Sequence, residues 1–260
     1  MTSIAASHPQ HPLPAPDSKR RRIYLMRHGA VSYFDEDGQT IANPETVPLT
    51  AQGVRQAQAA GAAFAKEGIY FDRVICSDLP RTFETAHHVL AALKAANLPT
   101  VAPTQIAALQ ELRGGRLADI PDANLRTAFL GAFDGVVTED TQFLGGERIG
   151  ELLDRVLPEI DALRADPHWD VCLLVLHGGV NRAVLSYLLT GKRLFLGSIA
   201  QATACINAID VGDDLEDTVI RLINHSPLDE LHTGTRKTTM EHLLDQFLRL
   251  KAMMAKKGTL

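Results

Sequence analysis

The order of elements in this 260-residue chain predicts an α/β fold with a mainly parallel sheet and one antiparallel strand. Three observations carry the prediction. The runs Ile23–Met26 and Val171–Leu176 are apolar throughout rather than at alternate positions, as in strands buried on both faces. Helical segments separate most of the strand-like runs from one another. The last two such runs, 204–211 and 218–223, are joined only by a short polar link, Gly212 to Asp217, which predicts a hairpin.

Each element has its own signal. Residues 1–18 hold Pro9, Pro12, Pro14 and Pro16 among small and polar residues, the composition of a disordered tail. Lys19–Arg22 is the solvated entry to the first strand. Residues 30–48, with Asp35, Asp37, Gly38, Asn43, Pro44 and Pro48, form a long loop of the kind that often carries function. Thr50 is an N-cap for a helix to about Glu67. A strand follows at 73–77, then a helix opened by Pro80, a residue well tolerated in the first turn, running to about Ala96. Residues 106–109 read as a short strand leading to Glu111. The segment 122–166 is mostly helical, interrupted by Gly131, Gly135 and Gly145-Gly146. After the strand at 171–176 comes a helix over 180–189. The chain closes with a helix over 236–257, whose Met240, Leu243, Leu244, Phe247, Leu250 and Met254 fall on one face. That face has three readings: packing on the protein's own core, a homodimer contact, or a partial cover over the active site. The domain reading is therefore a tail at 1–18, one catalytic domain at 19–232 and an appended amphipathic helix at 233–260. There is no internal repeat.

Composition narrows the function. Forty-five per cent hydrophobic residues suffice for one large core. A net charge of −5, with no basic block beyond Lys19–Arg22, argues against a general nucleic-acid partner. No apolar stretch is long enough to span a bilayer, and the N-terminus lacks the order of a signal peptide, so the expected location is cytoplasmic, without a membrane partner. Cys76, Cys172 and Cys205 lie in apolar strand-like runs and are expected to be buried and reduced. Their odd number and wide spacing suit neither a disulfide framework nor zinc. His87-His88 are adjacent on a helix, point to different faces and are not expected to bind metal.

The chemistry lies at strand ends, where open α/β sheets bind ligands. Arg27-His28-Gly29 follows the first strand directly and His177-Gly178-Gly179 follows the strand at 171–176. Arg81 sits in the first turn of a helix just after another strand, where its planar fork and the helix N-terminus both suit an anion. Glu111 follows a further strand end. Hydrolysis of a phosphomonoester needs a nucleophile, fixed positive charge around the phosphoryl oxygens and an acid for the leaving oxygen. A neutral His28 can be the nucleophile, Arg27, Arg81 and a protonated His177 can hold the oxygens, and Glu111 can supply the proton. The scheme needs no metal or other cofactor. Arg113 and Arg116, flanking Glu111, are expected to be solvated surface arginines.

These residues also sit in motifs. The chain resembles the histidine phosphatase superfamily, the phosphoglycerate-mutase-like proteins, through Arg27-His28-Gly29. The resemblance continues in Leu49-Thr50 with Gly53, Gln56 and Ala57. It extends through Ser77 to Ala86, Glu111 with Gly115, and His177 to Arg182. Together these motifs span roughly residues 22–225. The resemblance implies a three-layer α/β/α sandwich, a phosphohistidine intermediate at His28, a phosphate pocket of Arg27, Arg81 and His177, and Glu111 as proton donor. Gly178 is expected beside the phosphate. Where members carry a hydroxyl and an amide after the tripeptide, this chain has Ala30-Val31 and then Ser32-Tyr33-Phe34, so a phosphate contact from Ser32 is expected. The stretch between Glu111 and His177 lacks the long insertion of the family's mutases, which favours hydrolysis of a small phosphorylated substrate. Mutase activity and a non-catalytic phosphate-binding or scaffold role are the competing readings.

Overall fold

The computed structural model describes residues 19–34, 41 and 43–257. The Pro-rich tail and part of the loop at 30–48 lie outside that set. Strand β1 (Arg21–Arg27) leads to α1 (Ala51–Lys66), β2 (Arg73–Cys76) and α2 (Pro80–Ala95). Then come the short β3 (Thr104–Gln105), the short helix α3 (Leu125–Leu130), β4 (Val136–Val137) and α4 (Ile149–Ala165). Strand β5 (Val171–Leu176), α5 (Gly178–Thr190), β6 (Phe195–Leu196), the hairpin β7 (Ile206–Val211) and β8 (Thr218–His225), and α6 (Thr239–Lys257) complete the chain.

The main sheet has the order β3-β2-β5-β1-β7-β8. β1 pairs in parallel with β5, which pairs in parallel with β2, and β2 with β3. β7 runs antiparallel to both neighbours, β1 and β8, and is the one reversed strand. The expected fold class is therefore observed. Side-chain alternation explains the continuous apolar runs. Ile23, Leu25, Cys172, Leu174 and Leu176 face one core, with α4 and α5. Tyr24, Met26, Leu173 and Val175 face the other, with α1 and α2. Both faces are buried, so no position in either run needs to be polar. Cys76, Cys172 and Cys205 are free and buried, as expected.

Three details differ from the sequence reading. The strand placed at 106–109 is instead Thr104–Gln105, and Ala107–Leu109 is a 3₁₀ turn. Within 122–166, β4 departs from helix and pairs antiparallel with β6. Helix α5 begins at Gly178, directly after His177, rather than at residue 180. Two glycines bring β1's exit loop against α1. A Cβ on Gly29 would lie 2.5 Å from the Gly53 carbonyl oxygen, and one on Gly53 would lie 2.2 Å from that of Ala30. Only glycine permits this approach, which fixes the chain just after His28.

The C-terminal helix folds back onto its own chain. Met240, Leu243, Leu244 and Phe247 pack on α3, with Phe129 and Phe247 rings 5.8 Å apart. The first half of the apolar face read from the sequence thus meets α3, with Leu244 buried and Met240, Leu243 and Phe247 half-buried. Among the described residues no helix is long and apolar enough to cross a membrane.

Candidate active site

β1 and β5 are adjacent and parallel, so their carboxyl ends deliver His28 and His177 side by side. Arg27 is paired with Leu176 in register, and the two imidazole rings lie 5.3 Å apart. Both histidines are buried, as are Arg27 and Arg81. The His28 Nδ1 lies 2.7 Å from the Gly29 carbonyl oxygen. A carbonyl only accepts, so Nδ1 carries the proton and the lone pair is left on Nε2. Gly29 is itself held, its N–H donating to Thr85 Oγ1 at 3.0 Å. The strand, the glycine contact and this hydrogen bond together present a neutral, oriented Nε2.

The surrounding donors are of one kind. Arg27 donates through Nη1 to the Gln201 carbonyl and to Thr239 Oγ1, at 2.7 and 2.8 Å. Arg81 donates through Nη1 to the Pro44 carbonyl at 3.1 Å. Yet Arg27 Nε, Arg81 Nε and His177 Nδ1 are buried without a hydrogen-bond partner. Buried donors ordinarily find partners. The three orphaned nitrogens belong to residues whose rings or charges act on His28, and as donors they would suit an anion with several acceptor oxygens. Arg81→Ala will therefore weaken vanadate binding by about ten- to a hundredfold, the loss expected for a charge-assisted group. A dissociation constant within roughly twofold of wild type would place Arg81 outside the anion site.

Burial drives the His28 pKa well below its ordinary value, and the cations Arg27 and Arg81 add to it. The same causes, with His28, push down His177. In the free site, burial among cations therefore favours the neutral His177 ring. Ser77 Oγ lies 2.8 Å from His177 Nε2. With Ser77 as donor, the neutral ring keeps its proton on Nδ1, the orphaned atom.

A stability effect follows. In the unfolded chain both histidines titrate near 6.5, in the folded chain well below it. As pH falls through that value, the unfolded chain takes up protons that the folded chain excludes, so stability falls with pH. Each histidine contributes about 1.4 kcal/mol over the two pH units centred on 6.5, with a slope of about half that per unit at the centre. Chemical unfolding between about pH 7.5 and 5.5 will show the slope, and His28→Ala will make it shallower. An unchanged slope would mean that His28 is already charged when folded.

Glu111 lies at the N-terminus of α5. Its Oε1 accepts from the Gly179 and Leu112 N–H groups at 3.0 and 2.9 Å. A Cβ on Gly179 would stand 2.6 Å from that oxygen, so glycine is what lets the carboxylate approach the helix end. Gly178 packs beside Arg27, where a Cβ would lie 3.4 Å from Nε. Arg27, Arg81 and Glu111 all line one cavity of about 300 Å³.

Ser32 is not brought to that cavity. It is exposed, and its hydroxyl donates to the Phe34 carbonyl and accepts from the Phe34 N–H, closing a turn. Arg113 does line the cavity, whereas Arg116 is exposed and lies 3.8 Å from Asp119. Among the described residues, no cluster of three or more His, Cys, Asp or Glu side chains could hold a metal ion.

The model of the histidine phosphatase superfamily (branch 1) matches residues 23–225, from β1 through β8. The chain belongs to the histidine phosphatase superfamily. The probable phosphoglycerate mutase GpmB of Proteus mirabilis is 29% identical over 170 residues, covering 65% of this chain and 74% of the relative. The alpha-ribazole phosphatase from Shigella flexneri is 25% identical, with a TM-score of 0.56 over 78% of this chain and 96% of that one. A mycobacterial glucosyl-3-phosphoglycerate phosphatase shares the fold, with a TM-score of 0.61 and 24% identity over 80% and 100% of the two chains.

Three supporting residues in this chain carry no signal in the sequence. Arg155 on α4 donates to the Ala108, Gln110 and Glu111 carbonyls and pairs with Glu147 at 2.7 Å. Glu147 in turn accepts from the Arg113 N–H. The pair clamps the loop that carries Glu111. Thr239, the first residue of α6, bonds Arg27 and so ties the C-terminal helix to the anion site.

Proposed function

We propose that this protein is a phosphatase that hydrolyses a small phosphomonoester through a phosphohistidine at His28. The observation that supports the reading is the group of buried, unpartnered nitrogens, Arg27 Nε, Arg81 Nε and His177 Nδ1, on the neighbours of a histidine whose Nδ1 is held by a backbone carbonyl. In the first step His28 Nε2 bonds to phosphorus as the bond from phosphorus to the leaving oxygen breaks, and Glu111 protonates that oxygen. In the second, water attacks the phosphohistidine, Glu111 takes its proton, and inorganic phosphate leaves. An arriving dianion would offset the cations that depress His177, so that His177 can then share a proton with the phosphoryl oxygens. Every step uses side chains alone and calls for no metal. Three buried free thiols fit a reducing, cytoplasmic setting.

The test is a rapid quench with a labelled phosphomonoester in the presence of a chelator. An acid-labile, base-stable phosphoenzyme that disappears in His28→Ala is expected, together with release of inorganic phosphate. Label on a serine, or activity that requires an added metal, would overturn the mechanism. The relatives named as phosphoglycerate mutases motivate a parallel assay with monophosphoglycerate and bisphosphoglycerate. Transfer between them faster than release of phosphate would make this a mutase.

A further inference from the structure

We propose that the alcohol released by this enzyme is apolar, an alkyl or aryl group bound against the C-terminal helix. The proposal rests on the phosphatase reading above and names its substrate class. The cavity lined by Arg27, Arg81 and Glu111, with His28 and His177 buried outside its lining, continues between α3, the loop around Phe143 and α6. There its lining is Phe129, Phe143, Leu144, Met240, Leu243 and Phe247. The wall is a built one: Phe129 is buried, and with Leu125 and Leu244 it forms a hydrophobic cluster of its own, joined by Met240, Leu243 and Phe247. Its volume of about 300 Å³ is at the lower end for small-molecule sites, most of which are largely apolar.

Tyr33, Glu45 and Arg113 also line the cavity, and two further polar side chains beside the rings are already engaged. Thr239 Oγ1 accepts from Arg27. Gln110 donates to Asp78 and accepts from Arg113. A sugar or glycerate leaving group would bring several hydroxyls or a carboxylate against phenyl rings and leave them unpaired. An apolar group would exchange water for the same rings at a gain. The helix that supplies Met240, Leu243 and Phe247 begins at Thr239, beyond the family match at residues 23–225. Selectivity for the leaving group is thus placed on a segment added to the catalytic domain. Through Thr239 the same helix touches the phosphate-binding arginine.

The experiment is a kcat/KM series for ethyl, butyl, hexyl and octyl phosphate, with glucose 6-phosphate, 3-phosphoglycerate and para-nitrophenyl phosphate measured alongside. Each added methylene should raise kcat/KM by about two- to fourfold until the cavity is full. Octyl phosphate should exceed both polar substrates. Leu243→Ala should lower the ratio of octyl to ethyl phosphate by about three- to tenfold, and Leu243→Met, which keeps the volume, should retain it. Met240→Ala, at the start of the helix, serves as a second probe should Leu243→Ala not fold. A flat chain-length series, or preference for either polar substrate, would overturn the apolar subsite while leaving the phosphatase intact. Failure to hydrolyse any of the phosphomonoesters, para-nitrophenyl phosphate included, would overturn the phosphatase reading itself and this proposal with it.

Discussion

His28→Ala is expected to remove turnover while leaving a folded protein. The imidazole is 1% exposed, and its ring nitrogens divide two tasks between them. Nδ1 is anchored to the Gly29 carbonyl, and Nε2 is free to bond to phosphorus. The free lone pair depends on the ring being neutral, and burial beside Arg27 and Arg81 keeps it so. Nothing else within the cluster can replace it: the arginines are cationic, and Ser77 is held by Thr82 and His177. The loss should resemble that of other covalent nucleophiles, on the order of 10⁴–10⁶ in kcat. The fold should survive because both cores are built from β1, β5 and the four flanking helices, and the histidine belongs to neither. Steady-state rates for para-nitrophenyl phosphate and a thermal melt on the same sample decide the matter. More than about 1% residual activity in a cooperatively melting variant would end the covalent mechanism.

What the sequence disclosed and what it concealed have physical causes. Strands β1 and β5 are legible because both faces are buried, so the apolar run is unbroken and the histidine after each is plainly at a strand end. The Ile106–Leu109 run misled because its two large residues are three apart. Both pack against the α4–α5 core from a 3₁₀ turn, a spacing that a four-residue run cannot distinguish from a strand end. β4 and β6 are two residues each, too short for any period to register. Ser32 was read from position alone, and a local turn to Phe34 took up its hydroxyl. The role of Arg155 is invisible because the groups it holds in the Glu111 loop are backbone carbonyls 44 to 47 positions away, which leave no trace in a sequence. The amphipathic face of α6 was legible, but its partner was not. A helix pattern reports that a face is buried without saying against what.

Glu111→Gln is expected to separate leaving-group protonation from binding. The glutamine keeps the size of the side chain and an oxygen for the Gly179 N–H, which holds the present carboxylate at 3.0 and 3.2 Å. It cannot give up a proton as the acid can. A general acid matters most when the departing oxygen is strongly basic, as in an alkyl alcohol. For an alkyl phosphate the variant should lose about 10²–10⁴ in rate. Para-nitrophenolate leaves with little help, so para-nitrophenyl phosphate should lose much less. The contrast is diagnostic because the alternative role for Glu111 is structural. Its carboxylate links the N-terminus of α5 to the loop clamped by Arg155, and damage to that link would misplace Gly178 and His177 for every substrate alike. Both rates should therefore be measured on one preparation, with vanadate affinity as a check on the phosphate pocket. Equal losses for the two substrates would assign Glu111 to holding the helix end rather than to proton transfer. A loss confined to the alkyl phosphate, with vanadate binding unchanged, would identify it as the acid.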